Sequence, residues 1–211
     1  MDVHPLEDEW VLWEHRTGSD ESSYSNNLAR IGEFSTVEGF FSYVTNMPWP
    51  SQFFYTKPDQ RLKLGGRDVV GFSCFKKGIQ PCWEDPKNIS GGEWRIRKFS
   101  SLEEVDQAWK GCAFLAIGNN FDPSINITGC RVVDSSHPEK NRPMYNVEIW
   151  FENNDHHRDV ETLICDTMKV DTSKMFFRSH CSDNGHKEKP QERSIAKKGQ
   201  RNERRSRKTH R

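Results

Sequence analysis

A chain of 211 residues suits one domain plus a tail, and it is long enough to bury a core without disulfides or a structural metal. The formal net charge is zero, but residues 187–211 hold eleven Lys or Arg against three acidic residues, a net of +8, which leaves an acidic body of −8. The opening MDVHPLEDEW lacks an apolar signal core, and no run approaches the roughly 18 apolar residues of a membrane helix, so neither a helix-spanning nor a secreted protein is expected.

The expectation is a cytoplasmic protein, with the nucleus as a second location. Its body is residues 1–184, followed by a basic tail, 185–211. The tail has almost no apolar residues to offset its ordering entropy, so it reads as disordered. Such charge asymmetry suggests nucleic acid or an acidic protein as a partner. The six cysteines are widely spaced with no C-x-x-C pair, which reads as reduced thiols, mostly buried. Neither a metal nor a cofactor is expected.

Taken in order, Trp10 to Arg16 predicts a first strand. A polar loop, RTGSDESSYSNN, follows. Tyr24 stands alone in it, either as an anchor packed on the body or as a ring offered to a ligand. Ser35-x-x-Glu38 is a capping-box pattern, and Val37, Phe40, Phe41 and Val44 recur on one helical face, most of which should pack on a sheet. Residues 47–68 are punctuated by Pro48, Pro50, Pro58 and Gly65-Gly66 and read as irregular. The aromatic cluster Trp49, Phe53, Phe54 and Tyr55 would pin them to the body.

Asp68 to Phe75 and Glu93 to Phe99 predict strands; in the second, Trp94 and Ile96 alternate with Arg95 and Arg97. Ser101-x-x-Glu104 opens a second helix with Val105, Trp109, Cys112 and Ala116 on one stripe. Cys130 to Ser136 and Tyr145 to Glu152 predict a strand pair around the basic loop HPEKNRP. Asp155 to Lys169 predicts a third helix, and Ser173 to His180 a last strand. The class is α+β, with three helices on one face of a mostly antiparallel sheet.

Between the two middle strands lies GIQPCWEDPKNISGGEW, residues 78–94. Pro81 and Pro86 exclude helix on either flank. A Trp on such a loop can turn its ring away from the core, and the carboxylate beside it accepts hydrogen bonds only, so it suits a ligand edge made of N–H donors. Guanine offers a π-face and an N1–H, N2–H edge. Methylation at N7 makes the ring cationic and adds cation–π attraction. A core Trp beside a turn carboxylate is the alternative.

The match runs beyond W-E-D. The stretch resembles the signature of the cap-binding translation initiation factor 4E family, G-I-x-P-x-W-E-D-x-x-N-x-x-G-G-x-W, at Gly78, Ile79, Pro81, Trp83, Glu84, Asp85, Asn88, Gly91, Gly92 and Trp94. Further similarities follow in the family's order: His4-Pro5-Leu6, Trp10-x-x-Trp13, Tyr24, Phe34-x-x-Val37-Glu38-x-Phe40, Trp109, Ile117-Gly118-x-x-Phe121 and Ile149-Trp150. The resemblance covers residues 4–184 and implies a curved sheet with helices on its convex face and the 7-methylguanosine cap of mRNA on its concave face.

It also implies roles. Tyr24, a tyrosine where tryptophan is commoner, and Trp83 would sandwich the base. Glu84 would take its N1–H and N2–H, the Trp83 amide its O6, and Trp150 would lie beside the methyl group. The family's phosphate cations appear here as Ser136 and Asn146, and Glu93 stands where Arg or Lys is frequent. Lys140, Arg142 and His137 in the intervening loop are the candidate phosphate ligands, unless that loop is merely solvated. Lys187 is a weaker candidate.

His4, Pro5, Leu6, Val37, Phe41 and Phe114 would bind the Y-x-x-x-x-L-Φ helix of a scaffold or repressor protein, or else Phe41 and Phe114 belong to the core. The function implied is scaffold recruitment to capped mRNA for translation initiation; a cap-binding repressor that competes with the initiation factor is the alternative. An enzyme is not expected, because neither a Nudix-like glutamate helix nor an H-x-H nucleophile motif occurs.

Overall fold

Eight antiparallel strands form among the residues that the computed structural model describes, 3–17, 27–54, 63–64, 66–118 and 124–181. They are β1 (Pro5–Arg16), β2 (Leu28–Thr36), β3 (Lys63–Leu64), β4 (Arg67–Lys76), β5 (Gly92–Ile96), β6 (Ile127–Asp134), β7 (Tyr145–Phe151) and β8 (Met175–Ser179). The spatial order is β2-β1-β4-β6-β7-β5-β8, with β3 paired to β4. Four helices join them: α1 (Val37–Asn46), a single turn α2 (Pro50–Phe53), α3 (Leu102–Gly118) and α4 (His157–Met168). Tyr24, Tyr55, Phe121 and the tail that contains Lys187 lie outside the described residues.

The two-residue period of a strand gives the curved sheet two unlike faces. Val147, Ile149 and Phe151 of β7 and Trp94 and Ile96 of β5 are buried against the helices. The α3 stripe of Val105, Trp109, Cys112 and Ala116 lies in that same core, as its spacing predicts. The other face is polar. Register sets Glu148 of β7 opposite both Arg95 of β5 and Arg131 of β6, and one step on sets Trp150 opposite Glu93 and Gly129. Charged residues thus alternate with the core in sequence yet form a second layer in space.

Several boundaries differ from the sequence expectation. β2 is an additional strand: only Phe34 among its nine residues is buried, so no apolar alternation announces an edge strand. α1 is capped by Thr36, whose side chain accepts from Gly39 N–H, and not by Ser35. Glu38 instead turns to the opening segment, accepting from His4 N–H at 3.1 Å and lying 2.6 Å from His4 Nδ1. The segment read as irregular contains α2, started by Pro50, and buries Phe53 and Phe54. β5 stops at Ile96, and Lys98, at φ 62°, turns the chain away. Cys74, Cys112 and Cys130 are free and buried, whereas Cys181 is exposed. Among the described residues no helix is long and apolar enough to cross a membrane.

Candidate functional site

The β4–β5 loop is held by the third residue of its W-E-D run. Asp85 is buried, and its carboxylate accepts from the backbone N–H of Gln80 at 2.8 Å and of Lys87 at 2.9 Å. Its carbonyl accepts from Asn88 and Ile89 N–H. Asn88, wholly buried, donates its amide to the carbonyls of Gln80 at 3.0 Å and Cys82 at 2.9 Å. Gly91 closes the loop where a Cβ would lie 1.8 Å from the Phe151 carbonyl oxygen, so no larger residue fits. With the backbone fixed in this way, Trp83 is left 45% exposed, and Glu84 is exposed with its carboxylate making no hydrogen bond among the described residues. A large apolar ring and a carboxylate are therefore presented side by side.

Beneath them lies Trp150, 2% exposed. Its indole N–H donates to Glu148 Oε2 at 3.0 Å, and its ring meets Phe75 edge-on at 5.3 Å and His180 at 4.4 Å. The Arg131 guanidinium sits 5.0 Å from the indole centre, in cation–π range. Gly129, opposite Trp150, makes room for Phe75, whose ring would lie 2.4 Å from a Cβ there. Trp83, Glu84, Trp150, Arg131, Arg178 and His180 line one cleft of about 270 Å³.

The floor is neutralised by design of its register. Burial would raise the Glu93 carboxyl, but His180 Nε2 at 3.2 Å and the charges of Arg95 and Arg131 outweigh it and hold Glu93 below the usual carboxylate value. Glu148 lies between Arg131 Nε at 2.7 Å and Arg95 Nε at 3.5 Å. Arg178 reaches Glu93 only at 3.8 Å and stays 59% exposed at the mouth, so it is the cation most available to an incoming anion. Among the described residues no three His, Cys, Asp or Glu side chains gather as a metal site.

The three loop residues offered as phosphate ligands stand apart from this cleft. Lys140 lies in a turn, Pro138–Lys140, and His137 and Arg142 bridge each other across the β6–β7 hairpin. That hairpin leaves from the Asp134–Tyr145 pair, five residues from Trp150 along β7, or about 17 Å at the strand rise. None of His137, Lys140 and Arg142 lines the cleft; Arg131 and Arg178 do. In the sequence these two are only the polar members of alternating strands. Their meeting depends on β7 and β5 lying between β6 and β8.

On the helix side, the candidate partner residues do come together. Phe40 is buried and holds Phe41 and Phe114 at centroid distances of 5.5 and 5.6 Å; Phe41 and Phe114 are 5.9 Å apart. Phe41 is 44% exposed, so it is not core. Val37 N–H donates to the His4 carbonyl at 2.9 Å, and Leu6 packs against the core, which lays the His4-Pro5-Leu6 segment along the start of α1.

The sequence model of eukaryotic initiation factor 4E matches residues 5–195. Eukaryotic translation initiation factor 4E-1 of Arabidopsis thaliana is 32% identical over 152 residues, which is 71% of this chain and 56% of the relative. Eukaryotic translation initiation factor NCBP of rice is 32% identical over 162 residues, 76% of this chain and 62% of the relative. The chain thus spans less than two thirds of the length of these relatives. Among solved structures, Ascaris suum eIF4E-3 with an m2,2,7G cap aligns at a TM-score of 0.70 and 21% identity, covering 90% of this chain and 97% of that one. Schistosome eIF4E with m7GpppG and 4E-BP aligns at 0.66 and 23% identity, covering 84% and 89%.

Proposed function

The chain belongs to the eukaryotic initiation factor 4E family, and on that premise we propose that it reads the 7-methylguanosine cap of mRNA and delivers it to a helical partner protein. The observation that carries the reading is an exposed Trp83 beside an unengaged Glu84 on a loop held rigid by Asp85 and Asn88. A base stacked on Trp83 gains roughly 1–3 kcal/mol. Glu84 accepts from N1–H and N2–H, and the Trp83 backbone N–H, free of any acceptor among the described residues, meets O6. The cationic methylated ring faces aromatic surface from Trp83 and Trp150, and Tyr24 supplies the second stacking ring. The triphosphate passes Arg131 and Arg178 in place of Lys140, Arg142 and His137.

Exposure of Phe41 next to Phe114 favours a recruiter over a competitor that leaves the scaffold unengaged, because a helix-in-groove partner needs apolar anchors. Residues His4, Pro5, Leu6 and Val37 complete that surface. The cap reading is tested by retention on immobilised 7-methyl-GTP. The parent chain is retained and released by free 7-methyl-GTP but not by GTP, and Trp83→Ala is lost in the wash. Equal retention of Trp83→Ala overturns it.

A further inference from the structure

A larger cavity, about 820 Å³, opens at the end of β5 and the start of β7, outside the cleft that contains Trp83 and Trp150. Three cations, Arg97, Lys98 and Arg142, line it against one carboxylate, Glu103. Phe176 stands in its wall 38% exposed, with the Arg97 guanidinium 5.4 Å and the Lys98 ammonium 5.1 Å from its ring centre. Asn146 also lines it, 7% exposed. Its amide nitrogen donates to Ser135 Oγ at 2.5 Å, but its oxygen is buried without a hydrogen-bond partner. Arg97 Nε is likewise buried and unpaired. A buried unpaired amide oxygen is destabilising unless something arrives to use it.

Position links the two cavities. Asn146 lies four residues before Trp150 on the same face of β7, about 14 Å away at the strand rise. Phe176 lies two residues before Arg178, which lines the cleft, so it shares that residue's face of β8. A chain leaving the base beside Trp150 and passing Arg131 and Arg178 arrives here. We propose that this cavity holds an unpaired RNA nucleotide downstream of the cap, its base on Phe176 and the Arg97 plane, its edge on Asn146 and its phosphate on Arg97, Lys98 and Arg142. Stacking on aromatic and guanidinium planes with edge contacts is how single-stranded RNA is read. Burial and the neighbouring Arg95 already push the Arg97 guanidinium below its usual value, and a phosphate would relieve that repulsion.

The proposal rests on the cap reading, and the test separates the two. Fluorescence anisotropy is measured for 7-methyl-GTP, inorganic triphosphate, a short capped oligoribonucleotide and its uncapped counterpart, with the parent chain, Phe176→Ala, Phe176→Trp and Arg97→Gln. The parent binds the capped oligonucleotide more tightly than 7-methyl-GTP. Phe176→Ala and Arg97→Gln remove that gain, about tenfold, Phe176→Trp keeps it, and 7-methyl-GTP affinity stays level. If both variants keep the gain, the proposal is overturned. It is also overturned if Phe176→Ala is silent while Arg97→Gln weakens triphosphate and oligonucleotide alike, since the cavity is then an anion site only. If 7-methyl-GTP does not bind the parent, the cap reading itself fails and this proposal, which sets the nucleotide downstream of the cap, falls with it; loss of the gain at intact 7-methyl-GTP affinity in the parent concerns the cavity alone.

Discussion

Glu84 and Asp85 are adjacent carboxylates with opposite duties, and substitutions should separate them. Asp85 supports two backbone N–H groups from a buried position; Glu84 is exposed and engaged by nothing among the described residues. Asp85→Ala should therefore lower folding stability by about 2–3 kcal/mol, since hydrogen bonds to charged groups are worth more than neutral ones. Glu84→Gln should leave the melting temperature unchanged and cost about 1–3 kcal/mol in cap affinity, because an amide N–H then faces base donors. Melting curves and cap titrations of the same two variants check both.

His15 gives a pH signature. It is buried beside Arg131 with Nε2 2.8 Å from Ser73 Oγ, and burial first, then the Arg131 charge, hold its ring well below the usual 6.5. Below about pH 6.5 the unfolded chain takes up a proton that the folded chain refuses, so stability falls as pH drops from there, by at most about 1.4 kcal/mol per pH unit. Glu93, held below its usual value, adds a further loss at lower pH as its carboxylate protonates. His15→Phe should flatten the first part of that slope. Urea midpoints at pH 7.5 and 5.5 that shift equally in parent and variant would contradict this.

At the scale of elements, what the sequence reveals depends on whether the signal is local. The stripe of α3, the alternation of β5 and the punctuated W-E-D loop are local, and each lies where its spacing predicts, whereas of the α1 stripe expected to pack on a sheet only Phe40 is buried. β2 escaped because a strand at the sheet edge with one buried residue carries no period. The α1 cap was displaced by one residue because Ser35 and Thr36 are both good caps, and the choice went with Glu38 turning to His4. Arg131 and Arg178 escaped because their proximity is a property of the sheet order and not of either strand. Exposure of Phe41 is the feature the stripe on α1 does not announce. Phe41→Ala should cost less than about 1 kcal/mol of stability, yet weaken capture of a Y-x-x-x-x-L-Φ peptide by roughly 2 kcal/mol or more, as hot-spot truncations do. Loss of fold together with loss of peptide would show that Phe41 supports the core.

At the largest scale, the described body is organised by the two faces of one sheet. The helix side buries an apolar core and exposes Phe41 beside a half-buried Phe114; the other side carries paired charges, one exposed tryptophan and two cavities. Register makes this division possible, since each strand contributes alternate residues to each side. A ligand on one face and a protein on the other need not compete, which suits a molecule that joins the two. The measurement that bears most directly on this account is a titration of intrinsic tryptophan fluorescence with 7-methyl-GTP and with GTP. Quenching that saturates at least tenfold lower in 7-methyl-GTP, and that falls away in Trp83→Ala, is the predicted result. Equal affinity for the two nucleotides, or quenching that persists without Trp83, would contradict it.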